Sequence, residues 1–545
     1  MAFLRKENKK GKTYLTICES YRDGQGKVQR RVLHNLGNAD NFTTDALERI
    51  GRQLIELVKG PLAEPEGVEE LSRYNYGFPL IQYHLLHHYG LNDLMNRLTR
   101  KHKLDFSLLR SLMLMVCDRF NDPFSKLGSF RRQQEYIGMG TVELHHLYRT
   151  LDYLSEHNNL IQTHIYNKHQ NLFNYELDVV FYDVTTFYFD STVEQPEALR
   201  QMGFGKDGKI GKTQILFSLL IDKNKVPIGF QLFKGSSFEG HTFKDAVEKL
   251  KKKYNIKRVI VVADSGMLSK DNVSLFDKKG IAEGLEFIVG ERLKNMSAKA
   301  IDFLTNIKNY SNTLTLTNKE GKDLIIKYCT YSYGDRTIIS TYSEKRAAKD
   351  KADREKRIAQ AQKMLQQPSL LERKAQRNFL KNAGKNQYEL DNDKINAHAR
   401  FDGFKAIGTN AKDLTAEVVL EKYKDLYKIE QSFRTFKSFL ETRPMFHWTD
   451  ARIEGHMVMC YISFCLLTFL QHILKQTTGQ AYTDETLRKA LSKMELSKVL
   501  QDKKIFWLRS ALTPEADQII KALKVKHIPN AVSEETISNY LPPKM

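Results

Sequence analysis

Three carboxylates in this sequence lie where a charged side chain is costly to place without a purpose. Asp183 follows the apolar run from Val179 to Tyr182, and Asp264 follows the apolar run from Val259 to Ala263. Glu430 lies in a segment with a helical pattern. A carboxylate at the tip of a buried strand is better explained by a bound cation than by stability. Together the three predict a site for two divalent metal ions, an arrangement suited to phosphoryl chemistry.

Each aspartate also has a plain structural alternative. An Asp just beyond a strand is often a helix cap or a turn residue. The neighbouring pairs Thr185-Thr186 and Ser265-Gly266 are ordinary turn residues, which fits that alternative. The two aspartates carry more weight as a pair, because they converge on one cation if their strands are neighbours.

The helical segment adds further polar groups to the carboxylates. Tyr423, Glu430 and Lys437 are spaced by seven residues, about two helical turns, and Arg434 follows Glu430 by four. The spacing predicts that all four share one face, with an acceptor among two cations and a phenol. Such a face suits phosphate binding beside a metal ligand. The alternative is an exposed helix with a Glu430–Arg434 ion pair, which contributes only a few tenths of a kcal/mol.

The elements that must position these residues follow a recognisable order. The pattern predicts a strand to Asp183 and then a Gly-rich loop, two strands, a helix, the strand to Asp264, a helix and a short strand. The Gly-rich loop is predicted at Gly203–Gly211, and the two strands that follow it at Thr213–Ile221 and Val226–Phe233. The two helices are predicted at Thr242–Tyr254 and Ser269–Lys279, and the short strand at Glu286–Gly290. A tight turn at Asp222-Lys223-Asn224-Lys225 joins the two strands. This order predicts an α/β fold with an RNase H-like core, an antiparallel meander extended by parallel strands.

The rest of the chain predicts further domains around that core. Residues Thr13–Arg22 and Lys27–Leu36 read as paired strands with a turn at Asp23-Gly24-Gln25-Gly26, Thr43–Leu57 as a helix, and Pro61–Gly67 as a linker. Asp105-Phe106-Ser107 resembles a helix start and Asn121-Asp122-Pro123 a helix break. Thr313–Thr341 alternates like paired strands with turns at Lys319-Glu320-Gly321 and Gly334-Asp335, and Glu344–Lys385 resembles an exposed basic helix interrupted at Pro368.

We therefore predict six regions along the chain. They are a small β-rich region with a linker (1–75), a helical, DNA-binding domain (76–174), the first part of the core (175–290), an insertion domain that is β-rich and then basic and helical (291–403), the second part of the core (404–475) and a C-terminal helical region (476–545). For region 76–174 the alternative is a helical scaffold that only supports the core.

Composition limits the classes of protein and partner. The formal charge of +20 and the pI near 9.4 favour a polyanionic partner, although a generally basic surface is the alternative. The five cysteines show no metal-ligand pairing, which suits core thiols in a reducing compartment, and the histidines show no zinc spacing. No secretory signal is visible. The apolar stretch Met457–Leu474 is near the length of a membrane span, but its polar residues favour a buried core helix.

These residues resemble those of a known family. Asp183, Asp264 and Glu430 resemble the DDE triad of bacterial insertion-sequence transposases. One large group of them carries a Tyr-x2-Arg-x3-Glu-x6-Lys signature, in which Tyr423, Glu430 and Lys437 match. The Arg position is Leu426 in this chain, so Lys424, Lys428 or Arg434 would supply that cation. The resemblance spans roughly Asp178 to Leu474 and implies a β-rich insertion between the second Asp and the Glu.

The resemblance implies an activity, cofactors and partners. The activity is cut-and-paste DNA transposition, with metal-dependent cleavage at transposon ends and transfer of the freed 3′ end into target DNA. It implies two Mg²⁺ ions, with Mn²⁺ as a substitute. Asp183 would bridge both ions, Asp264 and Glu430 would each hold one, and Tyr423, Lys437 and Arg434 would contact DNA phosphates.

The implied partners are the double-stranded DNA of terminal inverted repeats and target. A homodimer in a synaptic complex, no membrane and a cytoplasmic, nucleoid-associated location are also expected. The alternatives are a related metal-dependent nuclease without strand transfer and a non-catalytic DNA-binding relative.

Overall fold

The structure is a computed structural model of the 545-residue chain. It describes residues 2–9, 11–59, 68–173, 179–194, 197–203, 212–237, 242, 246, 253, 259–264, 285–317, 323–367, 378–384, 387–443 and 445–543. The chain forms two compact units, of which the first is Met1–Leu71 with Val499–Phe506 and the second is Ser72–Lys498 with Trp507–Met545.

The first unit contains a small antiparallel sheet. Its strands β1 (Ala2–Lys9), β2 (Lys12–Arg22) and β3 (Val28–Asn38) pair in chain order. The predicted strand pair and its turn are confirmed, and β1 is an additional strand that the pattern did not predict. The helix α1 (Thr44–Lys59) confirms the predicted helix. The predicted linker at Pro61–Gly67 lies outside the described residues.

The second unit begins with a helical region. Its helices are α2 (Gly77–His88), α3 (Leu91–Lys101), α4 (Leu108–Asn121), α5 (Lys126–Arg132), α6 (Leu144–Glu156) and α7 (Asn158–Leu172). The predicted helix start is confirmed, because the Ser107 hydroxyl caps α4 by accepting a hydrogen bond from the Arg110 N–H at 3.2 Å. The predicted break is also confirmed, because α4 ends at Asn121.

A ten-stranded mixed sheet carries the predicted carboxylates. Its strands are β5 (Val179–Tyr188), β6 (Gln201–Met202), β7 (Thr213–Asp222), β8 (Pro227–Lys234), β9 (Val259–Ala263), β10 (Leu285–Glu291), β11 (Asn312–Thr317), β12 (Asp323–Tyr333), β13 (Arg336–Tyr342) and β16 (Phe404–Thr409). Their order is β11-β12-β13-β16-β10-β9-β5-β7-β6, with β8 also paired to β7. The molecule is therefore a mixed α/β protein.

The order of elements on each side of β5 agrees with the predicted pattern. The strands β5, β7 and β8 form an antiparallel meander, and β9 and β10 extend the sheet in parallel from β5. The turn at Asp222-Lys223-Asn224-Lys225 is confirmed by the hydrogen bond from the Lys225 N–H to the Asp222 carbonyl at 3.1 Å. Of the predicted helix Thr242–Tyr254 only Thr242, Ala246 and Lys253 are described, and these are helical.

Two predicted segments near these strands lie outside the described residues. They are the helix Ser269–Lys279 and, beyond Gly203, the Gly-rich loop.

The region from 291 to 403 joins the large sheet through β16. The predicted paired strands are confirmed as β11, β12 and β13, and β13 is hydrogen-bonded to β16. Gly334, at a φ of +61°, makes the predicted turn between β12 and β13. The remaining elements are α8 (Ala298–Leu304), α9 (Glu344–Gln366), the hairpin β14 (Leu380–Gly384) and β15 (Gln387–Leu390), and α10 (Asn392–Ala399). The first part of the predicted basic helix is confirmed as α9, but the prediction that it continues to Lys385 was wrong, because Leu380–Gly384 pairs as a strand with β15. The turn predicted at Lys319-Glu320-Gly321 and the break at Pro368 lie outside the described residues.

The last part of the chain combines helices with a small sheet, so the prediction that 476–545 is a helical region was wrong in part: three of its segments are strands that pair with one another or with residues near Glu69. It contains α11 (Ala416–Lys424), α12 (Tyr427–Arg434), a π-helical turn (Thr435–Phe439), α13 (Asp450–Thr478), α14 (Asp484–Ser492) and α15 (Pro514–Ala522). A four-stranded sheet orders β19 (Ala531–Ser533), β18 (Lys504–Arg509), β17 (Glu495–Gln501) and β4 (Glu69–Asn75).

The helix α13 forms the centre of the helical core. Within the described part of the chain it is the one helix long and apolar enough to cross a membrane, and 83% of its most apolar 18-residue stretch is buried inside the protein. This burial agrees with the prediction that Met457–Leu474 forms a buried core helix. All five cysteines are free and buried, as expected of core thiols.

Candidate active site

Asp183 lies in the middle of a strand, not at its end. The strand β5 continues five residues beyond it to Tyr188, so the prediction of a strand tip was wrong. Thr185 and Thr186, predicted as turn residues, are buried strand residues paired with Phe217 and Leu216 of β7. Asp183 itself is half-buried, and its Oδ1 accepts a hydrogen bond from the Val184 N–H at 2.7 Å.

Asp264 lies at the end of its strand, as predicted, and strand pairing places it beside Asp183. The strand β9 ends at Ala263, and β5 and β9 pair in parallel through Phe181 opposite Val262. Two residues further along, the same register sets Asp183 opposite Asp264. Neighbouring strands are about 4.8 Å apart, and residues two apart on a strand share a face. The two carboxylates therefore belong to one face of the sheet at one level, with Asp264 exposed to solvent.

Glu430 lies on a helix that packs against this same face. The helix α12 contacts β5 and β7. Its Phe433 ring lies 6.2 Å from the Phe217 ring of β7, and Ile429 is fully buried in the same core cluster as Phe181. Glu430 itself is exposed. The buried side of α12 thus fixes the helix over the strand that carries Asp183.

Tyr423 connects the helical segment to Asp264. Its hydroxyl donates a hydrogen bond to Asp264 Oδ1 at 3.4 Å, and its ring lies beneath the Lys405 ammonium at 4.4 Å. Burial, and then the negative charge of Asp264, raise the pKa of Tyr423 well above its usual value. The phenol therefore stays protonated at neutral pH and remains a donor.

Lys405 is a cation that sequence reasoning missed. It lies on β16, and its charge interacts with those of Asp264 and Glu430. Burial lowers the pKa of Lys405, as does the neighbouring Arg346 of α9, whereas the two carboxylates raise it. The signal in the sequence was a lysine inside the apolar strand Phe404–Thr409.

The helical segment does not form the single α-helix that the spacing of seven assumed. The helix α11 ends at Lys424, α12 begins at Tyr427, and a π-helical turn follows Arg434. Lys437 lies in that turn and is half-buried, and Arg434 is exposed. The prediction of one common face for Tyr423, Glu430, Lys437 and Arg434 on a regular helix was therefore wrong, although Tyr423 and Glu430 remain close enough to interact.

The structure also bears on the alternative of a Glu430–Arg434 ion pair and on Lys428, one of the residues suggested to replace the signature arginine. No Glu430–Arg434 ion pair forms in the described structure. Lys428 is directed elsewhere, because its ammonium donates to Asp425 Oδ2 and to the Lys223 carbonyl, each at 2.7 Å. Leu426 packs against the main hydrophobic core.

The donor set fits a hard divalent cation, since all three predicted ligands are carboxylates. Within the described ranges of the chain, the oxygens of these three carboxylates do not all lie within 4.8 Å of one another. Among the described residues, the group that does meet this spacing is His102, Glu156 and His157, at the ends of α3 and α6. The two histidine Nε2 atoms there are 2.9 Å apart, a separation that one shared hydrogen bond explains.

Two family models match this chain. One, described as the IS1634 family transposase, N-terminal domain, matches residues 4–65, and the other, described as the transposase DDE domain, matches residues 174–466. The second match covers more than half of the 545 residues and includes Asp183, Asp264 and Glu430. No curated protein matches the chain.

Among solved structures, the chain is similar to a piggyBac transposase. That protein was determined by cryo-EM as a synaptic complex with hairpin DNA. The TM-score is 0.38 at 10% sequence identity, over 86% of this chain and 83% of that chain.

The family match fixes the class of chemistry. Proteins with a transposase DDE domain bind DNA, depend on divalent cations, and cleave and rejoin DNA strands. The match includes both strand-borne aspartates and the helical glutamate that packs over them. This chain therefore belongs to the insertion-sequence transposases with a DDE domain, enzymes that cleave DNA and transfer its strands.

Proposed function

We propose that Asp183, Asp264 and Glu430 are the catalytic carboxylates of this transposase. The observation that carries the proposal is the parallel register of β5 and β9, which sets Asp183 opposite Asp264 on the face covered by the helix of Glu430. Three acidic side chains from separate elements converge there on one side of a sheet. This is the arrangement that metal-assisted attack on a phosphodiester requires.

The finer fold belongs to the same proposal. The meander β5-β7-β8, extended in parallel by β9 and β10, is the strand order of an RNase H-like core. Residues 175–290 and 404–475 would form this core, with 291–403 inserted between them. The helical region 76–174 and the N-terminal region 1–75 would supply DNA contacts, and 476–545 would form a C-terminal region of helices and strands.

The carboxylates would hold two Mg²⁺ ions, with Mn²⁺ as a substitute. When bound, these ions polarise the scissile phosphate and activate the attacking oxygen. Asp183 would contribute oxygens to both ions, and Asp264 and Glu430 would each bind one. The support is chemical, since Mg²⁺ prefers carboxylate oxygens and substrate phosphates as ligands.

The neighbouring side chains would position the scissile phosphate. The Lys405 ammonium lies over the Tyr423 ring, and that phenol bonds to Asp264. A phosphate placed at the carboxylates would therefore meet the Lys405 cation on one side, and the single Tyr423 hydroxyl proton would be donated either to that phosphate or to Asp264. Lys437 and Arg434, further along the helical segment, would bind phosphates beside the scissile bond.

The biological reaction would be cut-and-paste transposition. Cleavage would expose a 3′-hydroxyl at each terminal inverted repeat, and that hydroxyl would attack target DNA. Joining two ends in one event favours a homodimer in a synaptic complex. The enzyme would act in the cytoplasm on nucleoid DNA, without a membrane.

A joining assay separates this function from that of a nuclease without strand transfer. A labelled duplex that already ends in the transposon 3′-hydroxyl is incubated with the full-length protein, Mg²⁺ and a supercoiled plasmid. We expect labelled plasmid, lost when EDTA is added and restored by excess Mg²⁺ or Mn²⁺. Cleavage of an uncut end without any joining of the pre-cut end would instead establish the nuclease.

The same assay tests the non-catalytic alternative. A protein that binds the duplex but neither cuts nor joins it with either metal ion would contradict the proposal.

A further inference from the structure

A small cavity lies beside the segment that follows the Glu430 helix. Its volume is about 140 Å³, room for roughly four water molecules at ~30 Å³ each. It is bounded by the start of α5, the segment 441–447 and α13. Its lining includes the cations Arg119, Lys126 and Arg443, the exposed acid Glu441, and the histidines His447 and His456.

Lys126 is the most unusual residue of this cavity. Its side chain is only 3% exposed, yet its ammonium forms no ion pair or hydrogen bond with any residue that the structure describes. Buried lysines are almost always paired. Burial, and then the nearby Arg119, lower the pKa of Lys126 to about 7. An anion in the cavity would supply the missing partner and restore the full positive charge.

The groups around Lys126 do not neutralise it. Arg119 is 5% exposed and donates only to uncharged backbone carbonyls, those of Leu440 at 3.0 Å, Glu441 at 3.2 Å and Phe124 at 2.8 Å. Lys126 and Arg119, two buried cations, thus form no ion pair with a described carboxylate, while the exposed Glu441 lines the same cavity.

An aspartate and two histidines also lie near these cations. Asp118 accepts a hydrogen bond from the Tyr136 hydroxyl at 3.0 Å. Burial raises the pKa of Asp118, whereas its hydrogen bonds and the charges of Lys126 and Arg119 lower it. Asp118 lies in no ion pair with Lys126 or Arg119. Burial also lowers the pKa of His447 to about 3 and that of His456 well below its usual value, so both are neutral acceptors or donors at pH 7.

Exposed aromatic rings stand at the same segment. Phe446 lines the cavity and is 66% exposed. Trp448, two residues further on, is 52% exposed, and its ring lies 4.0 Å from the buried Arg200 guanidinium. Cations that bind phosphate, beside exposed rings on which bases stack, are the combination used in nucleic-acid recognition.

We propose that this cavity binds a backbone phosphate of DNA, with Lys126 and Arg119 as its cations and Phe446 stacking on an adjacent base. The proposal rests on the proposed function only in that the chain binds DNA. Leu440, whose carbonyl accepts a hydrogen bond from Arg119, follows Glu430 by ten residues, so the bound phosphate would lie away from the scissile bond. A free phosphate ion shares this chemistry, but the exposed ring of Phe446 favours DNA.

The test compares DNA binding by full-length variants, with EDTA present so that no strand is cut. Lys126→Met removes the charge and keeps the length of the side chain, and Phe446→Ala removes an exposed ring that the fold does not need. The matched controls are Lys489→Met, at an exposed lysine, and Phe303→Ala, at another exposed ring. Affinity is measured over a range of salt concentrations for a short labelled duplex with an unpaired end, whose bases are free to stack on Phe446.

The expected result is specific to a phosphate contact. Lys126→Met should lower the slope of log affinity against log salt by about 0.9, the value for one lost contact. Phe446→Ala should weaken binding about fivefold or more. Both control variants should bind as the wild type does.

Two other outcomes would overturn the proposal. The first is a free-phosphate site: inorganic phosphate at constant ionic strength raises the unfolding temperature of the wild type but not of Lys126→Met, while DNA binding is equal in both. The second is a structural role: Lys126→Met changes only the unfolding temperature, and Phe446→Ala binds DNA normally. The affinity measurements are made without metal ions and need no catalysis. A protein that binds DNA but does not cut it would therefore still test this phosphate site.

Discussion

At Lys405, opposing effects set the charge that faces the carboxylates. Burial and Arg346 lower the pKa of this lysine, whereas Asp264 and Glu430 raise it. Because the net shift is downward, Lys405 loses its proton at a lower pH than an exposed lysine does. A role that depends on its positive charge should therefore decline as the pH rises through that lowered pKa.

Replacing Lys405 by Met tests whether that charge acts in the reaction. We expect strand joining to slow by about 10²-fold, the effect of losing one group that stabilises developing charge. The measurement is the joining rate of a pre-cut end at saturating DNA. The control is Lys412→Met, an exposed lysine just beyond the same strand. Equal rates for the two variants would contradict a catalytic role for Lys405.

The site residues differed in how far the sequence could predict them. Asp183 and Asp264 follow apolar runs, and their pairing follows from parallel strands. Lys405 had only a weak signal, as a lysine inside an apolar strand, because only the pairing of β16 with β10 and β13 brings it to the face of the aspartates. Its role depends on contacts between residues far apart in the chain, which periodicity does not record.

At the scale of elements, the segment from α11 to the π-helical turn decides where the glutamate points. The Leu426 N–H donates to the Tyr423 carbonyl and the Ile429 N–H donates to the Leu426 carbonyl, each at 3.2 Å. Both bonds span three residues, so the chain is wound more tightly there than an α-helix. This tight turn and the following π turn explain why a spacing of seven did not predict a common face.

Introducing the signature arginine at Leu426 tests whether the family's cation is missing. We expect Leu426→Arg to leave joining activity unchanged, because Lys405 already places a cation near Glu430. It should lower the free energy of unfolding by about 1–2 kcal/mol, since Leu426 packs against the core. Thermal unfolding and the joining assay measure the two effects. A several-fold gain in activity would show that the position lacks its working cation.

A second feature at the scale of elements is the close contact between the helices α6 and α13. A Cβ added at Gly455 of α13 would lie 1.9 Å from the Leu151 carbonyl oxygen. We expect Gly455→Ala to lower the free energy of unfolding by about 3 kcal/mol through overpacking. The control is Gly51→Ala in α1, where an added Cβ would have no atom within 4 Å. This substitution should leave the free energy of unfolding unchanged or raise it slightly, because alanine favours a helix more than glycine does. Equal unfolding temperatures for the two variants would contradict the contact.

Strand positions could be predicted from apolar runs, but strand ends could not. The strand β5 extends past Asp183 because Thr185 and Thr186 pair with β7, a long-range interaction. Local turn propensity favoured a break there, and tertiary pairing outweighed it.

At the scale of the whole molecule, net charge is the property that follows most directly from the sequence. A net charge of +20 on 545 residues gives a protein that attracts a polyanion from any direction. In the proposed function, the large sheet and the helices would determine which phosphates reach the carboxylates. Overall charge would then supply affinity, and the fold would supply position.

The salt dependence of DNA binding tests this division. We expect the dissociation constant for a duplex to rise by about 10³-fold or more between ~50 and ~200 mM salt, as expected for at least six phosphate contacts. The unfolding temperature over the same range serves as the control for loss of structure. A change below tenfold would mean that charge contributes little to binding.

The most direct test of the central claim is cleavage of transposon-end DNA by Asp183→Asn, Asp264→Asn and Glu430→Gln. Asp190→Asn is the control, at an exposed aspartate just beyond β5 that pairs with Lys212. We predict that each of the three variants binds the DNA as the wild type does but shows no Mg²⁺-dependent cleavage, while the control cuts normally. Full cleavage by any of the three would contradict the assignment of that carboxylate to the active site.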